Sequence, residues 1–186
     1  MKRIVAILCL SLFFVGCSNH SSEFDRALAL RGKVISAKNC NFVATVTVNY
    51  DDVIHSFDLK CETSDHDTLK FEVMKPDTIA GITGVISQSN GNLTFDDEML
   101  AFELVIDDHL SPISAPWLFL HMLKSGYIVA CGSAGNGIHI RIEDTYDGER
   151  IQMDVYTDEQ SNPVRADIIW NDKRCLSIDV SAFSIV

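Results

Sequence analysis

Three acidic clusters are the groups in this sequence best suited to chemistry, because carboxylate oxygens are the ligands that calcium prefers. The clusters are Asp65-His66-Asp67, Asp96-Asp97-Glu98 and Asp107-Asp108-His109. None has the ligand spacing of a calcium-binding loop, which alternates ligands over about twelve residues. We therefore expect solvated carboxylates in turns, and we predict neither a metal site nor a cofactor.

Motifs for nucleophilic catalysis are missing from the sequence. It contains no GxSxG, no HExxH and no cysteine–histidine signature. The glycine-rich stretch 132–137 joins two predicted strands and does not open a helix, so we do not expect a phosphate cradle there. These observations predict that the protein is not an enzyme.

The cysteines leave the redox state open. Cys9 and Cys17 belong to the N-terminal region, and the other four are Cys40, Cys61, Cys131 and Cys175. No pair has the CxxC spacing of a zinc site. In an exported chain, four such cysteines form two disulfides or stay as buried free thiols. The sequence does not decide between these alternatives.

The N-terminus has the features of an export signal. Two basic residues precede the uncharged run Ile4–Val15, which is much shorter than the roughly 20 residues needed to span a bilayer. Phe14-Val15-Gly16-Cys17 resembles a bacterial lipobox, whose cysteine receives lipid before cleavage. The resemblance implies a signal peptide over 1–16 and a mature chain that begins at Cys17 carrying diacylglyceryl and palmitate-type acyl groups. The alternative is an ordinary signal peptide with an incidental cysteine.

The charge balance excludes polyanionic partners. The chain has 186 residues with 15 basic and 26 acidic side chains. Loss of Lys2 and Arg3 with the signal would leave a charge of about −13, which repels nucleic acid and anionic headgroups. We expect a lipidated tether over 17–22, followed by a single monomeric domain over 23–186.

Apolar residues alternate with polar ones from Cys40 onward, which predicts antiparallel strands. A two-residue turn at Asp51-Asp52 would place Phe42 opposite Cys61. A turn at Asp147-Gly148 would place Arg141 opposite Asp154. A third hairpin needs a three-residue loop over 171–173, or a bulge, to bring Ile168 opposite Leu176. The pattern predicts about nine to eleven strands in meander order.

Two segments have helical spacing instead. One follows Ser22 and should close at Gly32, and the other runs from about Leu110 to Gly126, capped by Ser111 or Ser114. The second is apolar almost all round, so it must be buried on several sides.

The areas of these elements predict a curved sheet. Ten strands present about 960 Å² on one face, whereas two helices cover about 360 Å². The sheet must therefore curl. The predicted fold is mainly β: a strongly curved antiparallel half-barrel with an N-terminal helix and an apolar mid-chain helix on its concave face.

Two stretches carry a resemblance to a known family: Phe71–Ile86 (FEVMKPDTIAGITGVI) and Leu110–Ile128 (LSPISAPWLFLHMLKSGYI). Together with the element order, they resemble bacterial lipoproteins of the LolA-like and LppX-like lipoprotein-carrier superfamily, over about 23–186. The resemblance implies a helix-covered half-barrel that binds acyl chains or other lipid. The lid-locking arginine of the carriers has no matching position here, and lipidated Cys17 does not suit a diffusing shuttle.

The resulting hypothesis is an anchored lipoprotein that binds a lipid or another apolar ligand in the concavity, and that takes part in lipid or lipoprotein handling. The predicted lining residues are Phe42, Val46, Phe57, Leu59, Phe71, Val73, Trp117, Leu120 and His121. The alternative is an envelope protein-interaction or sensing lipoprotein with a fully packed core. Either would lie outside the cytoplasm, on the outer face of the cell membrane or in the outer membrane of a two-membrane cell.

Overall fold

A computed structural model describes most of the domain. The described residues are 22–50, 53–64, 68–87, 90–95, 98–103, 105–106, 109–146 and 148–186. The predicted signal peptide, Cys17, the turn residues Asp51 and Asp52, and most of the three acidic clusters lie outside them. Within these ranges, neither helix has the length and apolar character needed to cross a bilayer.

Two α-helices are present in the described residues. Helix α1 is Ser22–Ser36, and helix α2 is Ala115–Ser125, which follows a single 3₁₀ turn at Pro112–Ser114. The predicted end of α1 at Gly32 is wrong. The apolar stripe of α1 continues from Leu30 to buried Val34, while Gly32 faces solvent and loses no packing by lacking a side chain.

Thirteen strands complete the described chain. They are β1 (Cys40–Tyr50), β2 (Val53–Ser64), β3 (Thr68–Lys75), β4 (Thr83–Ser87), β5 (Asn90–Phe95), β6 (Glu98–Glu103), β7 (Val105–Ile106), β8 (His109–Leu110), β9 (Tyr127–Ala134), β10 (Gly137–Tyr146), β11 (Glu149–Thr157), β12 (Pro163–Trp170) and β13 (Lys173–Ile185). Strands β7 and β8 pair only with each other, whereas the other eleven form one sheet.

The large sheet joins two meanders. Its order is β6-β5-β4-β3-β2-β1-β13-β12-β11-β10-β9, and every pairing is antiparallel. The first and last strands of the sequence, β1 and β13, therefore lie side by side at its centre. The chain leaves the sheet at the β6 edge and returns at the β9 edge, and the connection includes α2. The predicted fold class, an open antiparallel half-barrel with two helices, is confirmed, and its strands form two meanders.

The predicted hairpin registers are confirmed where apolar residues alternate without a break. Phe42 pairs with Cys61 across β1 and β2, and Arg141 pairs with Asp154 across β10 and β11. A one-residue slip would turn every apolar side chain of a strand toward water, so the alternation specifies the register.

In the third hairpin, formed by β12 and β13, a bulge brings the apolar residues of the two strands opposite each other. Ile168 lies opposite Leu176 as predicted, and Trp170 pairs with Lys173 across a two-residue turn. The turn residues Asn171 and Asp172 have φ values of 50° and 59°, as a type I′ turn requires. Cys175 is the extra residue that restores the register, so the bulge alternative is correct and the three-residue loop is not.

The two faces of the sheet differ in composition. The inner face, which the helices cover, carries the buried apolar side chains of β1–β4 and β10–β13. The outer face carries mainly polar and charged residues at the alternate positions. A sheet with one apolar face needs a cover, and α1 and α2 provide it within one continuous core.

Candidate functional site

Helix α2 lies within the curve of the sheet. Eight of its eleven residues are buried: Ala115, Pro116, Trp117, Leu118, Phe119, Leu120, Met122 and Leu123. A helix buried on nearly all sides must contact several elements, and α2 lies against α1, β1, β3, β10 and β13. The helix therefore lies on the concave face, as predicted, and it also fills the space that the hypothesis gave to an apolar ligand.

The contacts of α2 with the sheet centre are aromatic. Phe119 is fully buried, and its ring meets that of Phe42 edge to face at a centroid distance of 5.9 Å. Phe42 in turn contacts Phe183 of β13 at 6.1 Å. Such pairs contribute about 0.5–1.5 kcal/mol beyond their buried area. They hold the middle of α2 against the seam where β1 meets β13.

The side chain of His121 lies close to two strands that are far apart in the order of the sheet. Its Nε2 atom is 3.9 Å from Asp144 Oδ2 on β10, and its side chain also lines a cavity with Thr68 and Leu69 of β3. Strands β3 and β10 are six positions apart in the sheet, which is about 29 Å in a flat sheet. One side chain reaches both only because the sheet bends around α2. The proximity of His121 to both strands therefore reflects the predicted curvature of the sheet.

The space left beneath α2 is small. The cavity holds about 20 Å³ of water-accessible space and is lined by Thr63, Thr68, Leu69, Trp117, Leu120, His121 and Lys124. That volume suits about one water molecule, whereas an engineered cavity that binds benzene has about 150 Å³. Two of the lining side chains are stacked: the indole of Trp117 lies on the His121 ring at a centroid distance of 4.7 Å.

The nine predicted lining residues have different environments. Trp117, Leu120 and His121 border the small cavity. Phe42, Val46, Leu59 and Val73 are buried in the core, and half-buried Phe57 packs against it. These positions fit a concave inner face, and their contact with a ligand remains a prediction.

Phe71 has an additional role in local packing. Its ring lies over Gly84 on β4 so closely that a Cβ there would be 2.3 Å from the ring. Only glycine allows that approach.

On the outer side of the same strands, a recess of about 310 Å³ is bordered by Lys60, Glu62, Lys70, Glu72 and Val85, among others.

Arg31 is a residue that the sequence patterns did not single out for this site. Its Nε atom donates a 2.8 Å hydrogen bond to the carbonyl oxygen of Leu123, near the C-terminus of α2. Its buried Nη2 atom has no hydrogen-bond partner, and desolvation lowers the pKa of the guanidinium. Arg31 joins α1 to the end of α2. Arg31 lies four residues after Ala27 and three before Val34, so it is near the packed side of α1. This spacing is the sequence feature that could have indicated its role.

The ends of α2 differ from prediction in one respect. Gly126 ends the helix as predicted and donates its backbone N–H to Met122 O at 3.0 Å. Ser111 and Ser114 occupy the N-cap positions of the 3₁₀ turn and of α2, as predicted, but neither side chain makes a capping hydrogen bond. Ser114 Oγ instead donates to Ser111 O at 2.6 Å, because the 3₁₀ turn places that carbonyl within reach.

The four cysteines of the domain are free thiols. Burial raises the pKa of Cys40, Cys61 and Cys131, and raises that of Cys175 to about 11. Such thiols stay protonated at neutral pH and are poor nucleophiles. Of the two alternatives, disulfides or thiols, the structure has the second.

Solved structures with a similar fold exist. No protein-family model and no curated protein matches the chain. Similar structures include a LolA superfamily protein from Nitrosomonas europaea, at 6% identity over 88% of this chain and 93% of that one, with a TM-score of 0.49. Another is the lipoprotein LppX from Mycobacterium tuberculosis, at 12% identity over 87% and 93%, with a TM-score of 0.39.

A third similar structure is a putative outer membrane lipoprotein-sorting protein domain from Vibrio parahaemolyticus. Its identity is 8% over 90% of this chain and 93% of that one, with a TM-score of 0.46. Likenesses of this degree concern the fold alone.

Proposed function

We propose that this chain is an extracytoplasmic, monomeric lipoprotein, tethered to a bacterial membrane through acylated Cys17, that handles a lipid or the acyl chain of a lipoprotein without catalysis. The observation that carries the proposal is the position of α2. An apolar helix of the chain fills the concavity of an open curved sheet, where an acyl chain would otherwise be buried. On this proposal, the arrangement in which α2 fills the concavity is the closed form of the protein.

The energies of the two occupants support an exchange. The six large apolar side chains of α2, at about 1.5–3 kcal/mol each, contribute roughly 9–18 kcal/mol of burial. A sixteen-carbon acyl chain at about 0.8 kcal/mol per methylene contributes about 13 kcal/mol. The burial free energies of α2 and of the acyl chain are therefore similar. A ligand can shift α2, but the lost burial of α2 offsets much of the free energy that the ligand gains.

Leu120 provides the test, because it borders the small cavity beneath α2. Leu120→Ala removes contacts worth about 2–5 kcal/mol from the closed state. If a ligand must move α2, the apparent affinity for a fatty acid should rise at least about tenfold. Leu120→Met, which conserves volume, is the matched control and should change affinity little.

Trp117 reports the movement directly. The chain has two tryptophans, so Trp170→Phe leaves Trp117 as the only indole emitter. Titration of palmitate or phosphatidylcholine into Cys17→Ser protein should shift its emission, with native mass spectrometry recording the bound mass. An unchanged spectrum and a clean apoprotein, in the Leu120→Ala variant as well, would overturn ligand binding.

The cavity size favours a second candidate, an envelope lipoprotein with a packed interior that acts by binding another protein. A space of about 20 Å³ admits no acyl chain while α2 stays in place. On this alternative Leu120→Ala lowers the free energy of unfolding by about 2–5 kcal/mol and creates no lipid affinity. The same titration therefore distinguishes the two functions.

A further inference from the structure

The start of α1 is fixed to one end of the sheet. Glu23 Oε1 accepts a 2.7 Å hydrogen bond from Ser133 Oγ, near the end of β9. Three residues later, Arg26 bonds to the loop between β11 and β12: its Nε donates to Ser161 Oγ at 3.0 Å, and its Nη2 to Glu159 O at 3.1 Å. The first turn of α1 is thus held at two points.

The loop that receives Arg26 is itself well braced. The backbone N–H of Asn162 donates to Asp158 Oδ1 at 2.8 Å, and that of Asp158 to Asn162 O at 2.9 Å. Ser161, with a φ of 66°, completes the tight turn. Arg26 therefore grips a rigid loop, and α1 enters the domain at a defined place.

Strand direction separates the two ends of the half-barrel. In an antiparallel meander, consecutive turns alternate between ends, so the β9–β10 turn shares an end with the 158–162 loop. Gly148 and the Asn171-Asp172 turn lie at the other end. Nine-residue β11 makes these ends about 27 Å apart.

We propose that the membrane-facing surface of the protein is the end formed by residues 134–137 and 158–162 together with the first turn of α1. This rests on the proposed anchor at Cys17. Five peptide units separate Cys17 from Ser22, so their Cα atoms are at most about 18 Å apart. That reach is shorter than the half-barrel, so the end holding Ser22 faces the headgroups and the 171–172 end points away.

The charge of this end determines how it meets the membrane. Glu23, Asp25, Asp158 and Glu159 all lie there, together with the cation Arg26. Anionic headgroups repel this excess of negative charge, with a range of about 8 Å at physiological salt. The surface therefore approaches neutral headgroups closely and stands back from anionic ones.

Lipidated full-length protein in nanodiscs tests this orientation. Phosphatidylcholine discs that contain a lipid with a gadolinium-chelate headgroup should attenuate amide NMR signals most near Gly135, Asn136 and residues 158–162. Signals near Gly148 and residues 171–172 should be least affected. Replacing half of the phosphatidylcholine with phosphatidylglycerol should weaken the effect, and added salt should restore it.

Two variants sharpen the test. Insertion of twenty glycine and serine residues between Ser21 and Ser22 gives a tether with a typical span of about 25 Å, which should equalise the two ends. Arg26→Ala frees α1 from the loop and should reduce the difference between them. Attenuation that is uniform in the unmodified chain, or strongest at residues 171–172, would overturn the orientation.

Failure of the anchor looks different from failure of the orientation. Cys17→Ser should show no attenuation at any amide. If the unaltered protein behaves in the same way and intact mass shows no acyl groups, the proposed tether is wrong. If the mass shows acylation, the position of the strongest attenuation alone decides the orientation.

Discussion

The inner and outer faces of the sheet are held together by different physics. On the inner face, side chains such as Ile138, Ile140 and Met153 are fully buried and gain stability from dispersion and exclusion of water. On the outer face, polar side chains are ordered in rows that cross the strands. The strand registers place seven of them in one row: His139, Tyr156, Arg165, Asp179, Thr45, Asp58 and Lys75.

Contacts link successive members of this outer row. The rings of His139 and Tyr156 stack at 5.0 Å, Arg165 Nη1 is 3.7 Å from Asp179, and Thr45 donates to Asp58 at 2.8 Å. Cross-strand pairs of this kind contribute about 0.2–1 kcal/mol each. Each contact of the outer face therefore adds a small, partly exposed contribution, whereas each buried side chain of the inner face adds a larger one.

A second row contains the most buried charges of the outer face. Asp154 and Asp167 lie directly opposite each other on β11 and β12, an arrangement that is destabilising for like charges. Arg141 pairs with Asp154 through two hydrogen bonds of 2.8 and 3.0 Å, and Arg165 pairs with Asp167 at 3.0 Å. The arginines make the carboxylate pair tolerable, so these ion pairs differ from ordinary surface pairs.

The largest expected effect is in the core between α2 and the inner face. Phe119→Ala removes a fully buried ring and should lower the free energy of unfolding by about 3–5 kcal/mol. Leu28→Ala on α1, where the side chain is 44% exposed, should change it by less than about 0.5 kcal/mol. Urea unfolding followed by circular dichroism measures both. A small effect of Phe119→Ala would mean that α2 is not tightly packed.

The next effect concerns the buried ion pair of the outer face. Asp154→Asn weakens the bonds from Arg141 and His139 and should lower the free energy of unfolding by about 1–3 kcal/mol. The reason is that hydrogen bonds to a largely buried charge are stronger than those of an exposed pair. The same urea experiment gives the value, and a loss as large as that of Phe119→Ala would contradict the contrast between the faces.

The sequence was sufficient for features encoded locally. Alternation fixed which residue of β1 faces which residue of β2, and the apolar composition of α2 required its burial on several sides. Pairing of β1 with β13 was not predicted, because it joins strands more than a hundred residues apart and no turn sets their register. Hairpin signals therefore gave a single meander where the chain has two.

The candidate site was less predictable than the fold. Area estimates indicated an uncovered apolar face, but the remaining volume depends on how individual rotamers pack, as the stacking of Trp117 on His121 illustrates. The hydrogen bond from Arg31 to Leu123 could not be predicted for a similar reason, since it depends on where α1 crosses α2. Periodicity says which face of a helix is buried and not what that face touches.

Acid should remove the outer-face contribution selectively. Burial raises the pKa of Asp154, but hydrogen bonds from Arg141 and His139 outweigh it, so the pKa lies below its usual value. Because its folded-state pKa is lowered, ionised Asp154 stabilises the folded protein fully at pH values above the unfolded-state pKa of about 3.9. This stabilisation disappears as the pH falls through the folded-state pKa. The stability difference between the parent and Asp154→Asn should therefore shrink between pH 7 and pH 2.5. Urea midpoints at several pH values measure it, and a constant difference would contradict the prediction.

The smallest effect should come from the exposed ion pair of the same hairpin. Arg150 pairs with Glu143 across β10 and β11, as Arg141 pairs with Asp154, but both of its side chains are more exposed. Arg150 is 66% and Glu143 24% exposed, against 41% for Arg141 and 10% for Asp154. Exposed pairs contribute about 0–1 kcal/mol because water screens the charges and the side chains lose entropy. Glu143→Gln should therefore change the free energy of unfolding by less than about 0.5 kcal/mol, and less still in 1 M salt. If Glu143→Gln and Asp154→Asn had equal effects, burial of the carboxylate would not be what distinguishes the two pairs, and position along the hairpin would have to explain their strength.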